Sequence, residues 1–219
     1  MEEELLPNEN TLANLTGDFF DSLAFQGYAL VKDFLTPEEV QGLQKGIFAQ
    51  YEQGLLDKAG IGKDGEHHVN KQVRGDLIQW IDSSVDMKEL LPVQEKLKAL
   101  RERLNRECFL SLKEVEMHFA MYPEGTFYKR HKDQFKQDDH RKITFICYLN
   151  PYWEAMYGGA LQLYLPQKDG TEQTIQVLPE AGKLICFRSD LLEHEVLPTN
   201  RQRYSLTGWF LDQLKEVYL

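Results

Sequence analysis

The sequence predicts an α+β fold, with helices first and a β core of sandwich or barrel type after them. Three observations carry this. Helix signals cluster before residue 108. From residue 112 onward nearly every segment is rich in β-branched and aromatic residues, with turn residues at short intervals. The composition, 42% hydrophobic and 27% charged over 219 residues, suits one well-buried globular unit.

In chain order, TLANLTGDFFDSLAF (11–25) reads as a short helix ended by Gly27, and GYALVKDF (27–34) as a strand. In TPEEV, Thr36 can cap, Pro37 suits the first turn and Glu39 completes a capping box. Val40, Leu43, Ile47 and Tyr51 then repeat at helical spacing. Residues 54–72 form a long polar loop of the kind that often carries function. VRGDLIQWID (73–82) resumes a strand pattern. Residues 87–107 read as a helix with Pro92 near its start and an apolar stripe of Val93, Leu97, Leu100 and Leu104.

Strands are expected at 112–120, 142–150, 158–165, 174–180, 182–190 and 203–211. The simplest organisation is a single domain over 1–219, with a helical layer at about 11–107 supporting a β core at about 108–212.

Charge and composition narrow the function. A net charge of −10 repels phosphate backbones, so nucleic acid is not an expected partner. No apolar run approaches the roughly 20 residues of a membrane span. The acidic start MEEELLPNEN has no signal-peptide character. Cys108, Cys147 and Cys186 are few and scattered, which predicts reduced, buried thiols and a cytoplasmic location.

One constellation carries chemistry. In FYKRHKDQF, His131 and Asp133 stand two apart, which on a strand sends both side chains to one face. By itself such a pair also describes a solvated strand edge. His194, in LLEHEVLPTN, supplies a second imidazole. Two histidines and one carboxylate match the facial triad of non-haem Fe(II) oxygenases, which leaves coordination positions open for a cosubstrate and dioxygen. Nine residues further on, Arg203 opens a strand whose residues 203, 205, 207 and 209 share one face. A buried arginine there needs an anion, and a dicarboxylate offers a bidentate partner. A surface arginine in the basic run 201–203 is the plainer alternative.

The order H-x-D, His, then Arg resembles the 2-oxoglutarate and Fe(II)-dependent oxygenases of the prolyl 4-hydroxylase type. MYPEGTFYKRHKD, ICYLNPYWEAMYGGALQLY, FRSDLLEHEV, RYSLTGWF and VRGDLIQWI resemble stretches of the hypoxia-inducible-factor prolyl hydroxylases and their compact bacterial relatives. The resemblance implies a double-stranded β-helix core, of jelly-roll or cupin-like type. It implies iron on His131, Asp133 and His194, with no catalytic side chain beyond the metal site. It places 2-oxoglutarate on Arg203 and Tyr148, with Tyr122 and Thr207 lining its pocket.

On the substrate side the resemblance implies a network of Arg74, Asp76, Arg141, Trp209 and Tyr128, with Asp76 paired to Arg141 and Arg74 facing a peptide. Residues 60–72 correspond to a peptide lid. Fe(II), 2-oxoglutarate and dioxygen are the implied cofactor and cosubstrates, with ascorbate as an accessory. The implied reaction hydroxylates a prolyl residue of a protein, for which elongation factor Tu is a candidate, and releases succinate and carbon dioxide. Other readings are the same chemistry on another residue or a small molecule, or a cupin-like sensor without turnover. The segment QFKQDD (134–139) is where substrate choice is expected to differ from the animal enzymes. His118 reads as a structural strand residue, His67–His68 as solvated, and neither these nor His140 as ligands.

Overall fold

A computed structural model describes residue 12 and residues 15–60, 72–82, 85, 87–134 and 139–214. The expected lid, its His67–His68 pair and the middle of QFKQDD lie outside the described residues.

Helix α1 runs Gly17–Gln26 and starts later than the expected residue 11. Thr16 is extended (φ −81°, ψ 172°), and Leu15 is already packed in the core. The helix ends where Gly27 turns left-handed at φ 82°, a conformation without penalty for glycine. Strand β1 (Tyr28–Val31) follows directly.

Helix α2 (Pro37–Glu52) opens on the expected capping box. The Glu39 N–H donates to Thr36 Oγ1 at 3.2 Å, and the Thr36 N–H donates to Glu39 Oε2 at 2.8 Å. Such a cap contributes about 1 kcal/mol. Val40, Leu43 and Ile47 are buried, but Tyr51 is 44% exposed, so the stripe ends a turn before the helix does.

After β2 (Asp57–Lys58) and β3 (Leu77–Trp80), a 3-10 turn (Lys88–Leu90) leads into α3 (Leu91–Glu107). Val93, Leu97, Leu100 and Leu104 are all buried, each stabilising by about 1.5–3 kcal/mol. Lys96 is buried beside them. Its ammonium donates to Glu39 Oε2 at 2.6 Å and to the Phe34 carbonyl at 3.0 Å. The capping glutamate therefore also ties α2 to α3.

The remaining strands are β4 (Glu114–Tyr122), β5 (Tyr128–His131), β6 (Arg141–Tyr148), β7 (Leu161–Pro166), β8 (Glu172–Val177), β9 (Leu184–Arg188), β10 (Glu193–Val196) and β11 (Arg203–Leu211). They form a seven-stranded sheet, β1-β9-β6-β11-β4-β3-β2, and a four-stranded sheet, β5-β10-β7-β8. Every pairing between these strands is antiparallel.

Strand alternation sorts the core. Phe119, Met121, Phe145, Cys147, Leu206 and Phe210 leave one face of the large sheet and join the helices in one hydrophobic cluster. Ala120, Tyr122, Ile146 and Tyr148 leave the other face and meet Leu161, Leu163 and Val196 of the small sheet. Two facing antiparallel sheets with helices on one outer side give the double-stranded β-helix that the resemblance implied. Cys147 and Cys186 are buried free thiols, while Cys108 is only half-buried.

Candidate active site

The two histidines meet through strand pairing. His194 on β10 lies directly opposite His131 on β5. Asp133 is not on the strand, as its spacing suggested, because β5 ends at His131. The bend that follows brings its carboxylate to both imidazoles. Asp133 Oδ1 is 3.5 Å from His131 Nε2, and Oδ2 is 3.6 Å from His194 Nε2. One donor atom from each of the three residues fits within 4.8 Å.

The surroundings orient this trio. His131 Nδ1 lies 2.7 Å from the Lys129 carbonyl, which places a proton on Nδ1 and leaves the Nε2 lone pair for a metal. The Thr144 hydroxyl donates to Asp133 Oδ2 at 2.8 Å and lies 2.8 Å from Ser189 Oγ. Burial opposes ionisation of Asp133. His194, His131 and the Thr144 hydroxyl outweigh it and hold the carboxyl well below the usual range. Burial, with His131 beside it, lowers His194 to about 4, so its imidazole is neutral at pH 7. The ionised Asp133 carboxylate and the neutral His194 imidazole are in the state a divalent cation requires.

Arg203 opens β11 opposite Tyr122 and is 1% exposed. Its Nε donates to the Gly159 carbonyl at 3.0 Å. Gly159 sits at φ +65°, and a Cβ there would lie 3.1 Å from Arg203 Cδ, so glycine lets the backbone close on the guanidinium. Arg203 Nη2 and Tyr148 Oη are buried without a partner among the described residues.

A guanidinium left so is costly, and a carboxylate matches its fork. The Tyr122 and Tyr148 rings flank it at 4.8 and 5.3 Å. Burial, opposed by Arg203, raises the Tyr148 phenol to about 12, which keeps it a hydrogen-bond donor. The Ser205 and Thr207 hydroxyls lie 3.1 Å apart on the same strand face.

On the third side the expected pairing is corrected. Asp76 receives Arg74, through Nε (2.8 Å) and Nη2 (2.6 Å). Arg141 instead donates to Glu116 at 2.6 Å and lies over the Trp209 ring at 3.6 Å. Arg74 and Asp76 are only two residues apart in the chain, which makes this the shorter closure. Arg74 therefore does not project freely toward a peptide. Its guanidinium lies 4.2 Å over the Tyr128 ring, and that ring stacks on His131 at 3.6 Å and 16°.

The structure thus brings His131, Asp133 and His194 together, and brings Arg203 to Tyr122 and Tyr148. Sequence reasoning missed Thr144, Ser189 and Gly159. Thr144 was within reach of strand parity, since residues 144, 146 and 148 share the face that carries Tyr148.

The family described as the 2OG-Fe(II) oxygenase superfamily matches residues 117–211, which include the trio and Arg203. A solved prolyl-4-hydroxylase from Pseudomonas putida is 37% identical, covers 90% of this chain and 98% of its own, and superposes with a TM-score of 0.78. The chain belongs to the 2OG-Fe(II) oxygenase superfamily, on its prolyl hydroxylase side.

A prolyl hydroxylase from Trichoplax adhaerens, solved with a hypoxia-inducible factor peptide fragment, matches at 25% identity and a TM-score of 0.79 over 90% of this chain and 89% of its own. The hypoxia-inducible factor prolyl hydroxylase of Caenorhabditis elegans is 31% identical over 85% of this chain. The chain spans 27% of that worm protein's length.

Oxygenases of this superfamily use Fe(II), 2-oxoglutarate and dioxygen. The residues present fit them. Two neutral-capable imidazoles and an ionised carboxylate suit iron, and the unpartnered Arg203 Nη2 and Tyr148 Oη suit a carboxylate.

Proposed function

We propose that this chain is a 2-oxoglutarate- and Fe(II)-dependent dioxygenase that hydroxylates a prolyl residue of a protein and releases succinate and carbon dioxide. The observation that carries the reading is Arg203. It is a buried cation with a nitrogen unpartnered among the described residues, in a fold that also gathers a His-Asp-His cluster. An ion-pair network or an empty cupin pocket has no use for both features together.

His131, Asp133 and His194 would hold the iron, while Arg203 and Tyr148 would hold the far carboxylate of 2-oxoglutarate. Tyr122 and Thr207 line the way between them. When bound, iron and cosubstrate supply the oxidising chemistry, and ascorbate serves as an outside reductant. The chain's own work is placement. Thr144 orients Asp133 and, after the two histidines, helps to keep it ionised. The Tyr128 and Phe187 rings pack on His131 and His194 at 3.6 and 4.7 Å and limit the motion of the imidazoles.

Arg74–Asp76, Tyr128, Arg141 and Trp209 form the substrate wall. The peptide bound to the Trichoplax adhaerens neighbour supports a peptide over a free amino acid. Elongation factor Tu is the first protein to assay, with free proline as the control. Gain of one oxygen on a protein proline, dependent on 2-oxoglutarate, supports the reading. Turnover of free proline alone moves the substrate to a small molecule. Absence of succinate under every condition leaves the sensor reading.

A further inference from the structure

We propose that His118 and Trp209 together anchor a backbone carbonyl of the peptide substrate, which makes His118 a specificity-determining residue. This deepens the peptidyl reading above and rests on it.

Strand register sets the location. One row across the large sheet runs Trp80, His118, Thr207, Ile146, and the next runs Glu116, Trp209, Thr144. Thr144 is the residue that donates to the ligand Asp133. His118 has the parity of Ala120 and Tyr122, so it leaves the inter-sheet face and not the helix-covered one. Its ring lies 5.0 Å from Trp80 and 5.4 Å from Trp209. Trp80 is 40% exposed, so the three-ring cluster reaches solvent at that edge.

A histidine among tryptophans is usually core. Two atoms argue otherwise here. His118 Nδ1 and Trp209 Nε1 are both buried without a partner among the described residues. Each orphan costs about 1–3 kcal/mol when nothing binds it. Their rings are neighbours, tilted by only 31°.

An indole nitrogen only donates, and a neutral imidazole donates from Nδ1 in one tautomer. Two orphaned donors on neighbouring rings suit one acceptor with two lone pairs, which a peptide carbonyl has. Burial, reinforced by Arg74 and Arg141, lowers His118 to about 4, so it meets the substrate neutral. Those two guanidiniums are occupied by Asp76 and by Glu116.

The test uses a pool of short peptides, each with a central proline, and takes the best-hydroxylated member as probe. His118→Phe keeps the ring and removes the nitrogens, while His118→Asn returns a polar atom near the Nδ1 position. Loss of one neutral hydrogen bond should raise the peptide KM roughly 3- to 10-fold in the Phe variant. The KM for 2-oxoglutarate should move far less, the melting temperature should not fall, and the Asn variant should recover most of the loss. An unchanged peptide KM in the Phe variant overturns the proposal alone. A lowered melting temperature with equal impairment in both variants also overturns it, in favour of a core histidine. Wild-type protein that oxidises no peptide overturns the peptidyl reading, and the proposal with it.

Discussion

Thr144 lies on β6 and Asp133 on the bend after β5, yet the threonine hydroxyl meets the aspartate carboxylate at 2.8 Å. The bond fixes which Asp133 oxygen turns toward His194 and helps keep the group ionised. Groups of this kind, one shell out from a metal, typically change affinity by about 10- to 100-fold when removed. Thr144→Val should weaken Mn(II) binding by that amount in calorimetry, and Thr144→Ser should restore it. Equal affinity in all three proteins would show that Asp133 needs no such support.

Arg203 is held by one backbone carbonyl and two tyrosine rings, with Nη2 unsatisfied among the described residues. Replacing such a buried charge by an apolar side chain of similar length often stabilises by about 1 kcal/mol or more. Arg203→Met should therefore unfold at the same or a higher urea concentration without ligand. Added 2-oxoglutarate with Mn(II) should raise the wild-type melting temperature and leave that of the variant unmoved. A strongly destabilised variant would point to a partner for the guanidinium within the protein itself.

The Arg74–Asp76 pair predicts the opposite sign. The Asp76 side chain is fully covered and that of Arg74 is 13% exposed. Arg74→Ala would leave a buried carboxylate without its cation, a change that costs about 3 kcal/mol. It also strips the cation from the Tyr128 ring that backs His131. Urea denaturation should show the loss, and a variant as stable as wild type would contradict the pairing.

His118 and His194 give the stability a pH dependence in the metal-free protein. Both drop from the ordinary 6.5 to about 4 in the folded chain. Between those values the unfolded chain binds more protons than the folded one. Stability is therefore full above about pH 6.5 and falls as pH drops toward 4, by up to about 3 kcal/mol for each histidine. His118→Phe should flatten this slope by about half, with stability at pH 7 equal to or above that of wild type. A slope identical to wild type would mean that His118 does not titrate as a buried neutral group.

The readable parts of this chain were those with local causes. Thr36 and Glu39 fix the start of α2 through bonds three residues apart, and the Val93–Leu104 stripe needs only helical spacing. His131, Asp133, His194 and Arg203 were legible because their chemistry is rare in combination.

What escaped depends on register. Strand β10 is only EHEV, and its two glutamates face Arg130 and Tyr164 from the outer side, too short a run for alternation to stand out. Arg141 reaches Glu116 across β11, a distance that only the sheet pairing sets. Gly159 matters because Arg203 lies against it, 44 residues away in the chain.

The central claim is that the His131–Asp133–His194 cluster and Arg203 together drive prolyl hydroxylation. The most direct measurement follows succinate and hydroxyproline in one reaction, with Fe(II), 2-oxoglutarate and a proline-containing protein or peptide, for wild type and Asp133→Ala. Equal molar succinate and hydroxyproline from wild type, and neither from a folded Asp133→Ala variant, is the predicted result. Hydroxyproline formed by the variant, or succinate formed by wild type with no oxygen ever reaching a proline, would contradict it.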